Sequence, residues 1–148
     1  EDVLPPIVEL DLKEQGPKIS TKGTDITIVA SGHSSLLSRE AAFNLENIGI
    51  FAEIIDVRVL NPFNSELIVK SVKKTKNLLV VDSGSISCGF SAEIIANVIE
   101  KLPLSCLKKP PFRIALPDAP APTSRNLESS YYTTTGDIVE ATVNILSD

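Results

Sequence analysis

The chain has 148 residues, 43% of them hydrophobic and 22% charged, a composition typical of a globular domain. This length predicts a single domain that buries about two thirds of the surface its unfolded chain exposes. The formal net charge of −5 argues against nucleic acid or an anionic membrane surface as the principal partner. No apolar run approaches the roughly 18 residues of a membrane span.

The cysteines and the start of the sequence indicate the compartment. Cys88 and Cys106 have no CxxC spacing, so we expect two unpaired thiols in a reducing compartment, although a disulfide between them stays open. One histidine and two scattered cysteines argue against a metal site. Because the sequence begins at Glu1 with no signal-like segment, we expect a piece of a longer intracellular protein.

Residues 1–24 are predicted to form an entry segment ahead of the domain proper, which we place at residues 25–148. The prolines of this segment restrict it to one edge strand within residues 7–20, because proline is tolerated at a sheet edge and not at its centre. The β-branched run at 26–31 then predicts a buried strand.

A helix follows this strand. Ser34 or Ser35 can cap its start, and Gly49 stands where a glycine commonly ends a helix. The apolar spacing predicts a buried face made of Leu37, Ala41, Leu45 and Ile48.

A strand at 51–57 and a helix at 65–74 come next, with Leu67, Ile68 and Val72 facing inward. Four lysines lie in and just beyond the end of this helix: Lys70, Lys73, Lys74 and Lys76. They resemble a basic patch for a partner, but a simpler interpretation is that cations stabilise a helix C-terminus.

Residues 77–102 form the central unit of the chain. The apolar run at 77–82 predicts a strand, and a loop of small residues at 83–89 leads into a helix. One face of that helix carries Phe90, Ile94, Ile95, Val98 and Leu102. The two glycines of the loop lack the spacing of a dinucleotide or phosphate motif, so a backbone turn is favoured over ligand contact.

A last strand is predicted at 112–116, and Asp137 opens a final helix. Between them, the prolines of segment 117–135 predict an extended path. Strands that alternate with helices favour parallel βαβ units, so we expect an α/β protein with a three-layer α/β/α architecture.

Few side chains suggest chemistry. His33 follows the first predicted strand and could act as a general base, but no sequence neighbour is an evident nucleophile. Asp56 and Arg58 are expected to form a local ion pair, and Asp82 could cap a loop amide or meet a charged partner. Spacing alone therefore indicates no catalytic, cofactor-binding or metal-binding residue.

Several segments together resemble the C-terminal domain of the transketolase-like thiamine diphosphate enzymes. They are GTDITIVASG at 23–32, REAAFNLENIGIFAEIIDVRVLNPFN at 39–64, SVKKTKNLLVVDSG at 71–84 and GFSAEI at 89–94. A further pattern, Pro117-Asp118-x-Pro120-x-Pro122 followed by Leu127-Glu128, is similar to the beta subunit of the decarboxylating component of 2-oxo-acid (pyruvate or branched-chain) dehydrogenases.

This resemblance implies a mostly parallel five-stranded sheet with one antiparallel edge strand. It also implies an assembly or dimerisation domain, part of an enzyme that oxidatively decarboxylates a 2-oxo acid and transfers the acyl group to lipoamide. In such enzymes other domains hold thiamine diphosphate and magnesium, so none is expected in this domain. The expected partners are a second copy, an alpha subunit or other parts of the enzyme, and an acyltransferase core. The compartment would be the cytoplasm in bacteria and the mitochondrion or plastid in eukaryotes.

The 117–135 segment is long for a connection, and loops of such length are commonly functional. Its interface candidates are Pro120, Pro122, Arg125, Leu127, Tyr131 and Tyr132. The segment could instead fold over its own domain and hide the tyrosines. Two other functions stay open: the C-terminal domain of a transketolase or 1-deoxyxylulose-5-phosphate synthase, and a free-standing ligand-binding domain that uses loop 84–89 and His33.

Overall fold

The computed structural model of the chain describes residues 15–147. Its strands are β1 (Lys18–Thr21), β2 (Ile26–Ala30), β3 (Ala52–Asp56), β4 (Leu78–Ser85) and β5 (Phe112–Leu116). Its α-helices are α1 (His33–Glu46), α2 (Glu66–Thr75), α3 (Phe90–Lys101), α4 (Arg125–Tyr131) and α5 (Thr135–Leu146), and a single 3-10 turn covers Leu104–Cys106.

The strands form one five-stranded sheet in the order β1-β3-β2-β4-β5. Strand β1 runs antiparallel to β3, and all the other neighbours are parallel. This confirms the predicted mostly parallel sheet with one antiparallel edge strand. The edge strand expected within residues 7–20 is β1, and residues 7–14 lie outside the described residues.

Helices cover both faces of the sheet. On one face, α1 and α5 pack against Ile26, Ile28 and Ile54. On the other, α2 and α3 pack against Val29 and Ile55. Strands β2 and β4 each lie between two other strands, and their apolar residues are buried on both faces of the sheet, as their continuous apolar runs require. The three layers predicted from the sequence are therefore present.

Helix α1 departs from its prediction in its N-terminal cap and in the burial of Ile48. It begins at His33 after Gly32, so Ser34 and Ser35 lie inside its first turn as buried side chains and neither caps it. The helix ends at Glu46, so Ile48 falls in the following turn and is 60% exposed instead of buried. The prediction of a stop at Gly49 is sound, since Gly49 adopts a positive φ of 81°.

Segment 117–135 was predicted as an extended path, and this is wrong for its second half, where the seven residues of α4 form a helix. The prolines end at Pro122, so nothing in the following residues prevents helix formation. The final helix starts slightly before Asp137. The Thr134 hydroxyl oxygen accepts from the Asp137 amide, and the Asp137 carboxylate accepts from the Thr134 amide, which together form a capping box.

A polar seam is buried between the sheet and α2. The hydroxyl of Thr27 on β2 lies 2.7 Å from those of Ser71 and Thr75. Glu53 on β3 is only 2% exposed, and its carboxylate accepts from the Ser71 hydroxyl at 2.5 Å and from the Lys74 ammonium group. Lys74 thus pairs with a buried carboxylate in addition to lying in the last turn of its helix.

Three further expectations can be placed in the described part of the chain. Cys88 and Cys106 are both free thiols. The expected ion pair between Asp56 and Arg58 does not form, because the Arg58 guanidinium donates to the side chain of Gln15 instead, at 3.0 Å. None of the helices described is long and apolar enough to cross a membrane.

Candidate interface at the carboxyl edge of the sheet

Asp82 organises the loop that follows β4. It stands near the carboxyl end of that strand, 9% exposed. One carboxylate oxygen accepts from the Gly84 amide at 2.9 Å, and the other accepts from the Ser91 amide in the first turn of α3 at 2.7 Å. The prediction that Asp82 caps an amide of the 83–89 segment is therefore confirmed at Gly84, although the structure extends β4 through Ser85, three residues into the predicted loop. Its lone pairs are directed to the protein's own backbone, which fixes the strand–loop–helix connection.

The loop is also held by a close backbone approach at Gly89. A Cβ atom at this position would lie 2.0 Å from the Ser85 carbonyl oxygen and 3.2 Å from an Asp82 carboxylate oxygen. No residue other than glycine fits there without moving the backbone. Cys88, immediately before it, has a positive φ of 56°. The loop therefore turns the backbone, as the favoured interpretation predicted.

A second carboxylate clamps the same loop from the neighbouring strand. Asp118, two residues beyond β5, accepts from the Ser85 hydroxyl at 2.7 Å, the Ser87 hydroxyl at 2.5 Å and the Ser87 amide at 3.3 Å. The hydrogen bonds from Ser87 and Ser85 hold the pKa of the Asp118 carboxyl below its ordinary value. The loop after β4 and the proline-rich segment after β5 are thus joined into one unit.

From this clamp, the segment runs past Pro120 and Pro122 into α4. The Tyr131 hydroxyl, at the end of α4, donates back to the Ala119 carbonyl oxygen at 2.8 Å. The rings of Tyr131 and Tyr132 meet edge to face, with centroids 5.0 Å apart. These contacts close the segment on itself and hold α4 in a fixed position relative to the residues before it.

The interface candidates differ in how far they reach solvent. Leu127 is 60% exposed and Tyr132 is 47% exposed. Pro120 and Arg125 are also exposed, while Pro122 and Tyr131 are half-buried. Folding of the segment over its own domain therefore explains the partial burial of Tyr131, but it leaves Leu127 and Tyr132 exposed to solvent. We call the exposed set Pro120, Arg125, Leu127 and Tyr132 the α4 surface.

The other sequence candidates are not brought together into a reactive site. His33 opens α1 and is exposed. Its neighbour Ser34 is buried, with its hydroxyl 2.6 Å from that of Ser83. Within residues 15–147 no group of three or more His, Cys, Asp or Glu side chains could hold a metal ion. The exposed side chains of the 117–135 segment can bind a partner through shape and apolar contact. His33 and Ser34 do not form a pair of nucleophile and adjacent base.

Sequence reasoning missed the contacts that make Asp118 central. In the sequence, Asp118 stands out only as part of the Pro117-Asp118-x-Pro120-x-Pro122 motif, and no pattern there indicates a role for Ser85 or Ser87. The available signal was an acidic residue fixed between prolines directly after a predicted strand, at the sheet edge where parallel strands place their loops.

Comparison with protein families agrees with this geometry. The family model "Transketolase, C-terminal domain" matches residues 16–138. The chain is 38% identical over 148 residues to the mitochondrial pyruvate dehydrogenase E1 component subunit beta of Saccharomyces cerevisiae, covering 99% of this chain and 40% of that protein. It is 35% identical over 130 residues to acetoin:2,6-dichlorophenolindophenol oxidoreductase subunit beta of Bacillus subtilis, covering 88% of this chain and 38% of that protein.

Solved structures show the same fold. A split-gene transketolase described as an inactive beta4 tetramer is 26% identical with a TM-score of 0.75, covering 99% of this chain and 45% of that one. A transketolase from Pichia stipitis is 18% identical with a TM-score of 0.61, covering 90% of this chain and 18% of its own. The chain thus spans about 40% of the length of the curated relatives it matches. With a family model covering most of its residues, it belongs to the transketolase C-terminal domain family.

Proposed function

We propose that this chain is the assembly domain of a thiamine diphosphate-dependent 2-oxo-acid dehydrogenase beta subunit and pairs with a second copy through the α4 surface. The observation that carries the proposal is the exposure of Leu127 and Tyr132 on a segment that Asp118 and Tyr131 hold in a fixed shape. Exposed apolar and aromatic side chains on an ordered scaffold are typical of protein interfaces.

The relatives support this choice of parent enzyme. Both curated relatives described above are beta subunits of oxidoreductases, and one is a pyruvate dehydrogenase component. The parent reaction would be oxidative decarboxylation of a 2-oxo acid with acyl transfer to lipoamide. The remaining length of such a protein, an alpha subunit and an acyltransferase core would be further partners, with the compartment set by the source: cytoplasm in bacteria, mitochondrion or plastid in eukaryotes.

The residues of this domain do not fit the cofactor of such an enzyme. Magnesium and a diphosphate require several oxygen ligands, and the described residues contain no suitable acidic cluster. The carboxylates at the carboxyl edge, Asp82 and Asp118, already accept hydrogen bonds from the loop between them. We therefore assign the thiamine diphosphate and magnesium sites to other parts of the parent enzyme and expect this chain alone to be inactive.

The chemistry of the α4 surface suits pairing with a copy of itself. Leu127 and Tyr132 supply apolar area, and the Arg125 guanidinium at the start of α4 supplies a cation for the rim. Homodimers are built from self-complementary patches related by a two-fold axis. Self-association of the split-gene transketolase, a four-copy assembly by its description, supports the same behaviour here.

Sedimentation equilibrium over a hundredfold concentration range tests this pairing. We expect a concentration-dependent dimer for the wild-type chain, and at least a roughly tenfold weaker association for Leu127→Ser and Tyr132→Ser, because each removes central apolar contact area. Tyr131→Ser should act less directly, since its hydroxyl already bonds within the segment. Leu104→Ser is the matched control, because Leu104 is 67% exposed but lies in the 3-10 turn. A dimer that is indifferent to Leu127→Ser and Tyr132→Ser would contradict the proposal.

Titration calorimetry with thiamine diphosphate and magnesium tests the division of labour within the parent enzyme. We expect no saturable heat from this chain. Binding at micromolar concentration would show that a cofactor site lies in this domain.

A second candidate has one observation in its favour. The high TM-score to a split-gene transketolase makes a C-terminal domain of a transketolase or 1-deoxyxylulose-5-phosphate synthase the alternative. The Pro117-Asp118-x-Pro120-x-Pro122 motif, whose Asp118 clamps the loop, favours the dehydrogenase subunit. A free-standing ligand-binding domain has less support, because internal hydrogen bonds occupy the loop at 84–89 and His33 is an exposed residue at the start of α1.

A further inference from the structure

Helix α1 carries two large apolar side chains on the side that faces away from the sheet. Phe43 is 67% exposed and Leu36 is 54% exposed. They are seven residues apart, so they lie almost in line along the helix. Ser38, Ala41 and Leu45 form the opposite, buried side. Solvent-facing positions of an amphipathic helix are ordinarily polar, so this apolar line is unusual for a helix whose other side is already packed.

We propose that this line is a second self-association surface, on which α1 packs antiparallel against α1 of another copy across a two-fold axis beside Phe43. None of its residues belongs to the α4 surface. The inference concerns an additional contact and does not depend on the proposed function.

The charges beside the apolar line are arranged for this pairing. Arg39 and Glu46 are also seven residues apart and share one flank of α1, where they border an open groove of about 850 Å³ together with Ser20 and Thr21. Glu40 lies on the other flank and accepts a hydrogen bond from the Thr135 hydroxyl of α5 at 3.0 Å. The only ion pair within residues 15–147 joins Lys74 and Glu53, so Arg39 and Glu46 have no ionic partner inside the described domain.

A two-fold axis pairs these groups with their opposites. In an antiparallel helix pair related by such an axis, the same flank of each helix faces its copy, and residues equidistant from the axis come level. With the axis between Ala42 and Phe43, midway between Arg39 and Glu46, Arg39 comes level with Glu46 of the second copy and the two Phe43 side chains lie beside each other. Leu36 then lies near the turn that follows α1 of the second copy, where Ile48 is 60% exposed.

This pattern selects a second copy over an unrelated partner. One axis position pairs each Arg39 with Glu46 of the other copy, which gives two ion pairs, and it brings the exposed Phe43 side chains together between them. In a parallel pair in register, Arg39 of one copy and Glu46 of the other would stand about 10 Å apart along the helices and could not pair. The α1 contact and the α4 surface use different residues, so one chain can form both contacts.

Charge reversal provides the decisive test. The variants are Arg39→Glu, Glu46→Arg and the double exchange, in the 148-residue chain, with self-association measured by sedimentation equilibrium. Each single reversal sets like charges together twice and should weaken the α1 contact roughly tenfold or more. The double exchange restores opposite charges across the axis and should recover the wild-type association constant to within about threefold. Recovery by the double exchange requires that both residues meet their copies, so an unrelated partner would not produce it.

Cross-linking locates the axis independently. In a Cys88→Ser, Cys106→Ser background, Phe43→Cys places a thiol beside the axis, and mild oxidation should give a disulfide-linked dimer. Leu36→Cys is the matched control, because its two copies would be about 20 Å apart along the helix pair and should not join. Both positions are exposed, so circular dichroism should show an unchanged fold.

The outcomes separate this inference from the proposed function. If the double exchange is no better than the single reversals, or if Leu36→Cys cross-links as readily as Phe43→Cys, the α1 contact is disproved. Leu127→Ser and Tyr132→Ser change the α4 surface and leave the Phe43→Cys cross-link intact. Loss of association only in those two variants would disprove the α1 contact while supporting the α4 surface.

Discussion

Asp118 holds Ser87 through two hydrogen bonds at once, one from the serine amide at 3.3 Å and one from its hydroxyl at 2.5 Å. The two residues are 31 positions apart in the chain and belong to loops that follow adjacent parallel strands. This contact fixes the loop after β4 relative to the segment that carries the α4 surface.

Asp118→Asn should therefore loosen the loop without unfolding the domain. An amide side chain keeps one acceptor oxygen but loses the charge that strengthens all three hydrogen bonds. We expect faster hydrogen exchange of the Ser87 amide, measured by NMR, with little change in melting temperature because the site is exposed. Asp56→Asn is the control, since Asp56 ends β3 and makes none of these contacts. Unchanged exchange at Ser87 would show that Asp118 does not restrain the loop.

The buried carboxylate of Glu53 should make stability depend on pH. Burial disfavours its charged form, but the hydrogen bonds from Lys74 and Ser71 and the Lys74 charge outweigh this, so the pKa of Glu53 lies below its ordinary value of 4.5. The unfolded chain then binds the proton more tightly than the folded chain. The stabilisation is complete above about pH 4.5 and is lost as the pH falls through the folded-state pKa.

Urea unfolding from neutral to acidic pH measures this effect. Glu53→Gln should cost about 2 kcal/mol at neutral pH, because it removes the charge partner of Lys74 and weakens the bond from Ser71. The same substitution should flatten the decline below about pH 4.5. Glu140→Gln, at an exposed position on α5, should leave both the stability and its pH dependence unchanged. An identical pH profile in Glu53→Gln and wild type would assign the acid sensitivity to other groups.

Gly89→Ala should destabilise the domain by about 3 kcal/mol, because its Cβ would collide with the backbone carbonyl of Ser85 and force the loop to move. The φ of Gly89 is −76°, so the cost is steric and does not come from backbone conformation. Gly136→Ala is a matched control, since its Cβ would meet only the Thr134 hydroxyl at an ordinary 3.6 Å. Denaturant unfolding compares the two, and equal stabilities would show that the loop tolerates a side chain at Gly89.

Cys88→Gly should have the opposite effect. Cys88 has a φ of 56°, in the left-handed region that costs a residue with a Cβ roughly 1–2 kcal/mol. Glycine removes that cost but loses more entropy on folding, so we expect a net gain of up to about 1 kcal/mol in the free energy of unfolding. Cys88→Ala separates loss of the thiol from relief of the backbone and should give no gain.

Thr134→Ala should cost about 1 kcal/mol, since it removes the side-chain half of the capping box on α5. Thr133→Ala changes the adjacent threonine, which makes no capping contact, and should be neutral within about 0.5 kcal/mol. Thermal unfolding of the two variants provides the comparison. Equal melting temperatures would show that tertiary packing of α5 outweighs its cap.

Local patterns in the sequence determined the elements of this fold. The continuous apolar runs at 26–31, 51–57 and 77–82 predicted β2, β3 and β4 because strands covered on both faces need no polar alternation. The inward faces of α2 and α3 followed from helical spacing alone, and Val72 and Val98 are fully buried. All of these signals lie within a few residues of the structure they specify.

Tertiary structure decided the features that depend on distant residues. The start of α1 was mispredicted because Ser34 forms its hydrogen bond with Ser83, 49 residues away, and does not cap its own helix. Glu53 was overlooked because its partners Ser71 and Lys74 approach it only once α2 packs on the sheet. The clamp by Asp118 likewise requires β4 and β5 to be neighbours. A single sequence does not encode such pairings in any local pattern, because the chain must first bring its strands into register before these polar groups can meet.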